Sequence, residues 1–157
     1  MIVMRYFYLL CCCLCSGFSV ATQAAENMSL LQGKWDCTAA LRQPLYQLNL
    51  TTQEHYLASH QYVTKGTLIA RLPGQPIEVS YSVAGNGTWK VAGDKLILEA
   101  NDLKVENLTH PEWEAILNLK QYIPKHAGGT LDIIRLDQQH LSLKAKNLPD
   151  NIQCHRS

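Results

Sequence analysis

The chain has 157 residues, enough for one domain and little more. Its formal charge is +1, and setting Arg5 aside leaves 13 basic residues against 13 acidic. That balance excludes a nucleic-acid binder, which needs a basic surface to displace counterions, and an acidic disordered tail.

The amino terminus reads as a secretory signal peptide over residues 1–24. Arg5 supplies the positive region and an uncharged apolar run from Tyr6 to Val20 follows. Ser19-Val20-Ala21 and Thr22-Gln23-Ala24 each place a small side chain two positions before an alanine, so cleavage is expected after Ala21 or Ala24. The run is about 15 residues, short of the ~20 that span a bilayer as a helix. An uncleaved anchor is the alternative reading of the same run. Cys11, Cys12, Cys13 and Cys15 fall inside it and read as apolar filler.

Residues 25–157 are then one domain with an even pair of cysteines, Cys37 and Cys154. In an oxidising compartment such a pair forms a disulfide. The bridge would tie the start of the domain to its end. A loop that long is worth roughly 4–5 kcal/mol in the chain-entropy model.

Period-2 alternation dominates this domain. Trp35, Cys37, Ala39 and Leu41 share one face of a predicted strand at 33–42. Further strands are predicted at 45–50, 55–64, 67–72, 77–84, 88–92, 95–100, 103–107, 130–136, 140–146 and 151–154. In 77–84 the inward set is Ile77, Val79, Tyr81 and Val83; in 140–146 it is Leu141, Leu143 and Ala145. One apolar face and one polar face belong to an antiparallel sheet wetted on one side. Turn signals at Lys65-Gly66, Pro73–Pro76, Gly85-Asn86-Gly87, Ala92-Gly93-Asp94, Gly128-Gly129 and Asp137–Gln139 join the runs as hairpins. The fold class is therefore mainly β, an up-and-down meander of about eight to ten strands curling into a barrel. One helix, at about 110–122, interrupts it. Thr109 and Glu112 read as a capping box, Pro111 opens the first turn, and Trp113, Ile116 and Leu117 recur at helical spacing. It is expected to pack on or across the barrel mouth.

Catalytic motifs are absent: no Gly-x-Ser-x-Gly, His-Glu-x-x-His, P-loop or Gly-x-Gly-x-x-Gly occurs. No metal site, cofactor or enzymatic role is expected. The six histidines (His55, His60, His110, His126, His140 and His155) are scattered and read as surface or loop residues. Tyr56, Tyr62, Tyr81, Trp89 and Trp113 are the candidate ligand-binding residues, because each joins an apolar ring to one polar atom. Core filling is the plainer reading of the tryptophans.

The Gly33-x-Trp35 start followed by an antiparallel meander looks like the lipocalin or calycin pattern. In order and spacing, residues 33–146 resemble the ToxS-type periplasmic proteins of Gram-negative bacteria. Trp35 resembles their early strand tryptophan, and Lys65–Leu72 their Asn-Gly-Thr-Tyr strand start. Gly87–Leu96 is similar to their Gly-x-Trp-x-Ile hairpin, Thr109–Ile123 to the helix that follows, and Ile133–Leu143 to the closing hairpin. The resemblance implies an accessory partner of a membrane-bound transcription regulator, and a lipocalin-like barrel, shared with that partner, that senses bile acids. The sequence departs from the group in its cleavable signal and its cysteine pair.

The expected protein is thus a periplasmic or secreted, non-enzymatic lipocalin-like barrel. It would hold a small apolar or amphipathic ligand, bile-acid or fatty-acid like. The alternatives are an accessory protein that stabilises a protein partner, and a secreted hydrolase inhibitor presenting Pro73–Pro76 or Lys125–Gly129.

Overall fold

The computed structural model describes residues 19–42, 46–117, 119, 128–146 and 148–157. Eight antiparallel strands follow one another in chain order and close into a barrel. They are β1 (Gly33–Arg42), β2 (Gln47–Tyr56), β3 (Gln61–Arg71), β4 (Glu78–Ala92), β5 (Lys95–Asn107), β6 (Gly128–Leu136), β7 (His140–Ala145) and β8 (Ile152–Arg156). The closing pair is β1 with β8, in register from Trp35 opposite Arg156 to Thr38 opposite Gln153. Alternating side chains point inward along each strand, so the apolar faces read from sequence meet in one interior.

Several strand limits differ from the predicted ones, and each difference has a local cause. The expected strand at 55–64 is a hairpin: β2 ends at Tyr56, β3 begins at Gln61, and His60 turns the chain with φ of 63°. Lys65-Gly66 lies mid-strand in β3 rather than in a turn. A Cβ at Gly66 would run into the backbone of Thr51 and Thr52, so two strands approach closely there. Gly85-Asn86-Gly87 is likewise no turn, and 77–84 and 88–92 merge into β4. The register slips at Asn86/Gly87, where Asn101 is the extra, unpaired residue of a bulge in β5, and 95–107 runs as that one strand beside β4.

The predicted helix is shorter in its described part. Pro111–Trp113 forms a 3-10 turn and α2 (Glu114–Leu117) one α-helical turn, with Leu119 also helical. Residues 118 and 120–127 lie outside the described residues. The capping box does not form. Asn107 turns the chain ahead of the segment instead, its Oδ1 accepting from the Thr109 and His110 backbone N–H groups at 3.2 and 3.1 Å. The Thr109 hydroxyl accepts from the Ser80 N–H, and Glu112 pairs with His110 at 3.0 Å.

A second helix, α1 (Ser19–Leu31), precedes the barrel. It passes through both expected cleavage positions, while residues 1–18 lie outside the described residues. Leu31 is fully buried in the barrel floor and Met28 packs against the same cluster. The Asn27 amide donates to the Gly93 carbonyl at 3.3 Å, tying α1 to the β4–β5 turn.

The core has two parts. The floor holds Leu31, Trp35, Tyr56, Tyr62, Trp89, Leu96, Leu141 and the cysteine pair. Trp35 is fully buried, and its Nε1 donates to the Leu31 carbonyl at 2.8 Å. Arg156 lies over the indole at 4.1 Å and donates to the carbonyls of Leu30, Gln32 and Gln138. Cys37 and Cys154 stand directly opposite in the β1–β8 register and are disulfide-bonded across 117 positions of chain. At the other end Leu68, Ala70, Val79, Tyr81, Val105, Leu117 and Leu119 form a second cluster, so α2 covers that end as expected. Among the described residues no helix is long and apolar enough to cross a membrane.

Candidate functional site

Between the floor and the upper cluster the barrel encloses a cavity of about 370 Å³. That lies within the range of small-molecule sites, roughly 300–1,000 Å³. All eight strands have a residue on its wall, and most of the wall is Leu, Val, Ile and Ala. The inward frame of β2 supplies one side: Leu48, Leu50, Thr52, Glu54 and Tyr56.

Beside the cavity the seam is incomplete among the described residues. β1 pairs with β8 only through Trp35–Thr38, although β1 continues to Arg42. Ala39, Ala40 and Leu41 line the cavity there, as do Leu148 and Ile152. On another side, among the described residues, β5 pairs with β6 only through Lys95–Glu99. Trp113 and Leu117 pack against the cluster at that end.

One end of the cavity is polar. Glu54 stands on its wall beside Thr52, Tyr56, Tyr62 and Thr64. Register explains the grouping: Glu54 is opposite Thr64, and Tyr56 is opposite Tyr62. The Thr64 hydroxyl donates to Glu54 Oε1 at 2.8 Å. Burial raises the Glu54 carboxyl above its ordinary range, and the Thr52 and Thr64 hydroxyls offset part of that rise. The phenols of Tyr56 and Tyr62 are raised too, first by burial and then by the Glu54 charge. Both therefore stay protonated at neutral pH. Gly87 faces inward opposite Tyr62, and a Cβ there would strike the Tyr62 ring, so this glycine makes room for the aromatic wall.

Of the five candidates read from sequence, Tyr56 and Tyr62 line the cavity. Trp89 packs in the floor, edge-on to Tyr56 at 5.6 Å, with its Nε1 donating to the Leu57 carbonyl at 3.0 Å. Tyr81 is fully buried in the upper cluster, and its phenol is pushed up to about 12 by burial and by the charge of Glu114. Trp113 packs against that cluster from outside. These three are walls of the barrel rather than of the cavity. Pro73–Pro76 is an exposed hairpin tip. Gly128 and Gly129 open β6, and residues 125–127 lie outside the described residues.

Glu54 was not among the candidates. Its signal is positional: Leu48, Leu50 and Tyr56 set an inward frame with period 2, and Glu54 falls on it. Among the described residues no three His, Cys, Asp or Glu side chains lie close enough to hold a metal ion. Comparison with protein-family models and with curated proteins found no match.

The raised carboxyl makes a prediction about stability. A glutamate whose folded pKa exceeds its unfolded value favours folding fully below the unfolded value, and that contribution is lost as pH rises through the folded one. Glu54→Gln keeps an acceptor for Thr64 and removes the charge. Urea unfolding should show the variant more stable than the parent at pH 7 and equal to it near pH 4, about the ordinary glutamate value. A parent more stable than the variant at pH 7 would show that the buried carboxylate is compensated.

Proposed function

We propose that this chain is an exported, lipocalin-like barrel that binds a small apolar or amphipathic molecule in its interior. The cavity carries the reading: about 370 Å³, walled mostly by aliphatic side chains, with Glu54 and its hydroxyl neighbours grouped at one end. Burying ligand surface there contributes about 25 cal/mol per Å², and the polar end fixes orientation. Export is supported by the apolar amino-terminal run and by the disulfide, which persists in an oxidising compartment. No catalytic step is assigned.

The test is a thermal-shift and fluorescence titration with bile acids, fatty acids and neutral and basic amphipaths. Saturable binding to at least one series is expected, and its absence from every series counts against the proposal. Leu50→Trp should fill the cavity and abolish that binding while the barrel stays folded. Overpacking of this kind costs about 1–3 kcal/mol. Unaltered affinity in the filled variant would place the ligand elsewhere.

A second reading, an accessory protein of the ToxS type, is favoured by one observation. Ala39–Arg42 of β1 have no β8 partner among the described residues, so a partner could add a strand at this edge. Crosslinking in periplasmic extract, from a site in Ala39–Arg42, should then recover one stoichiometric partner.

A further inference from the structure

The polar end of the cavity carries a sign. Glu54 is the one carboxylate on the described wall, and no lysine, arginine or histidine accompanies it there. The remaining polar side chains on the wall are the hydroxyls of Thr38, Thr52, Thr64, Tyr56 and Tyr62, which both donate and accept and so do not choose between charges. The carboxylate does choose. A ligand anion at this end would meet a like charge in a poorly solvated site, where Coulomb repulsion is weakly screened. A ligand cation would relieve the cost of holding Glu54 among aliphatic side chains. Two tyrosine rings beside the carboxylate suit an ammonium as well, since ring faces attract cations.

We infer that the cavity selects apolar molecules bearing a basic nitrogen, with the ammonium held by the Glu54 carboxylate and the hydrocarbon along the aliphatic wall. This rests on the small-molecule reading above and reverses the polarity expected for a bile-acid or fatty-acid site. The Thr64 hydroxyl, 2.8 Å from Oε1, holds the carboxylate in place.

The test is calorimetric titration of the full disulfide-bonded protein at neutral pH. The probes are decylamine, decanol and decanoate, below micelle-forming concentrations. Decylamine should bind tighter than decanoate by about tenfold or more, the size of one charge-assisted hydrogen bond. In Glu54→Gln the preference should collapse, with decylamine falling to the affinity of decanol. Thermal unfolding of the variant verifies that it folds, and the wild-type ordering alone decides the sign of the site. Decanoate binding as tightly as decylamine overturns this inference and leaves the binding barrel standing. A preference that survives Glu54→Gln also overturns it. If none of the three probes binds, this inference falls, and the bile-acid arm of the titration above decides the binding barrel.

Discussion

Replacing Cys37 and Cys154 by alanine should remove about 4–5 kcal/mol of stability, the loop-closure entropy of a bridge this long. The pair spans 117 positions of chain and joins the two strands that close the barrel. Domains of this size are stable by only about 5–15 kcal/mol. The loss would therefore leave the double variant marginal or unfolded at 37 °C. The same result should follow from reductant added to the unmodified protein. Urea unfolding with and without reductant measures it directly. A midpoint that ignores reductant would mean that the β1–β8 ladder alone holds the seam.

The floor should be nearly as sensitive. Trp35 is fully buried, its indole N–H satisfies the Leu31 carbonyl, and Arg156 covers its face at 4.1 Å. Trp35→Ala should cost about 3–5 kcal/mol, the range for deleting a large buried aromatic. Trp35→Phe should cost less, because the ring volume is largely kept while the Leu31 carbonyl loses its donor. Arg156→Ala should be coupled to both, since the guanidinium binds the carbonyls of Leu30 and Gln32 as well as the ring. A double-mutant cycle on Trp35 and Arg156 should return an interaction of about 0.5–3 kcal/mol. Additive costs would show that Arg156 holds the helix end independently of the indole.

Much of this architecture is legible in the residues because period 2 is a direct imprint of the pleat. Trp35, Cys37, Ala39 and Leu41 announce β1 and its inner face, and Leu141 and Leu143 do the same for β7. Glycine was the misleading signal. Gly66, Gly85 and Gly87 look like turn residues but sit mid-strand on inward positions. At Gly66 and Gly87 neighbouring backbone or a tyrosine ring comes too close for a Cβ. Their spacing of two at 85 and 87 was the clue to a continuous strand. The β2–β3 turn hid for the opposite reason, because Leu57-Ala58-Ser59-His60 contains neither Gly nor Asn, and His60 takes the positive φ. The failure of the Thr109–Glu112 box is equally hidden: a Thr-x-x-Glu spacing is local, whereas Thr109 is engaged by Ser80 across the sheet.

The site was half legible. Tyr56 and Tyr62 were visible as aromatic hydroxyls and they line the cavity. Glu54 is hidden in the sequence because a charged side chain between Gln53 and His55 reads as solvent-facing. Only the frame set by its neighbours turns it inward, and only the register with β3 brings Thr64 to its carboxylate.

Assembly order follows from the seam. β8 is the last of the eight strands, and it joins the outer edges of β1 and β7. A chain that has formed β1 to β7 but not yet β8 is an open curl with two bare hydrogen-bonding edges and its apolar face wet. Such edges pair with other chains, which makes this the species prone to strand exchange and aggregation. The longest-range contacts of the fold are also the ones that complete it, and non-local closure of this kind is slow. A nascent molecule therefore stays vulnerable until the Ile152–Arg156 segment docks, and chaperone protection would matter most during that interval.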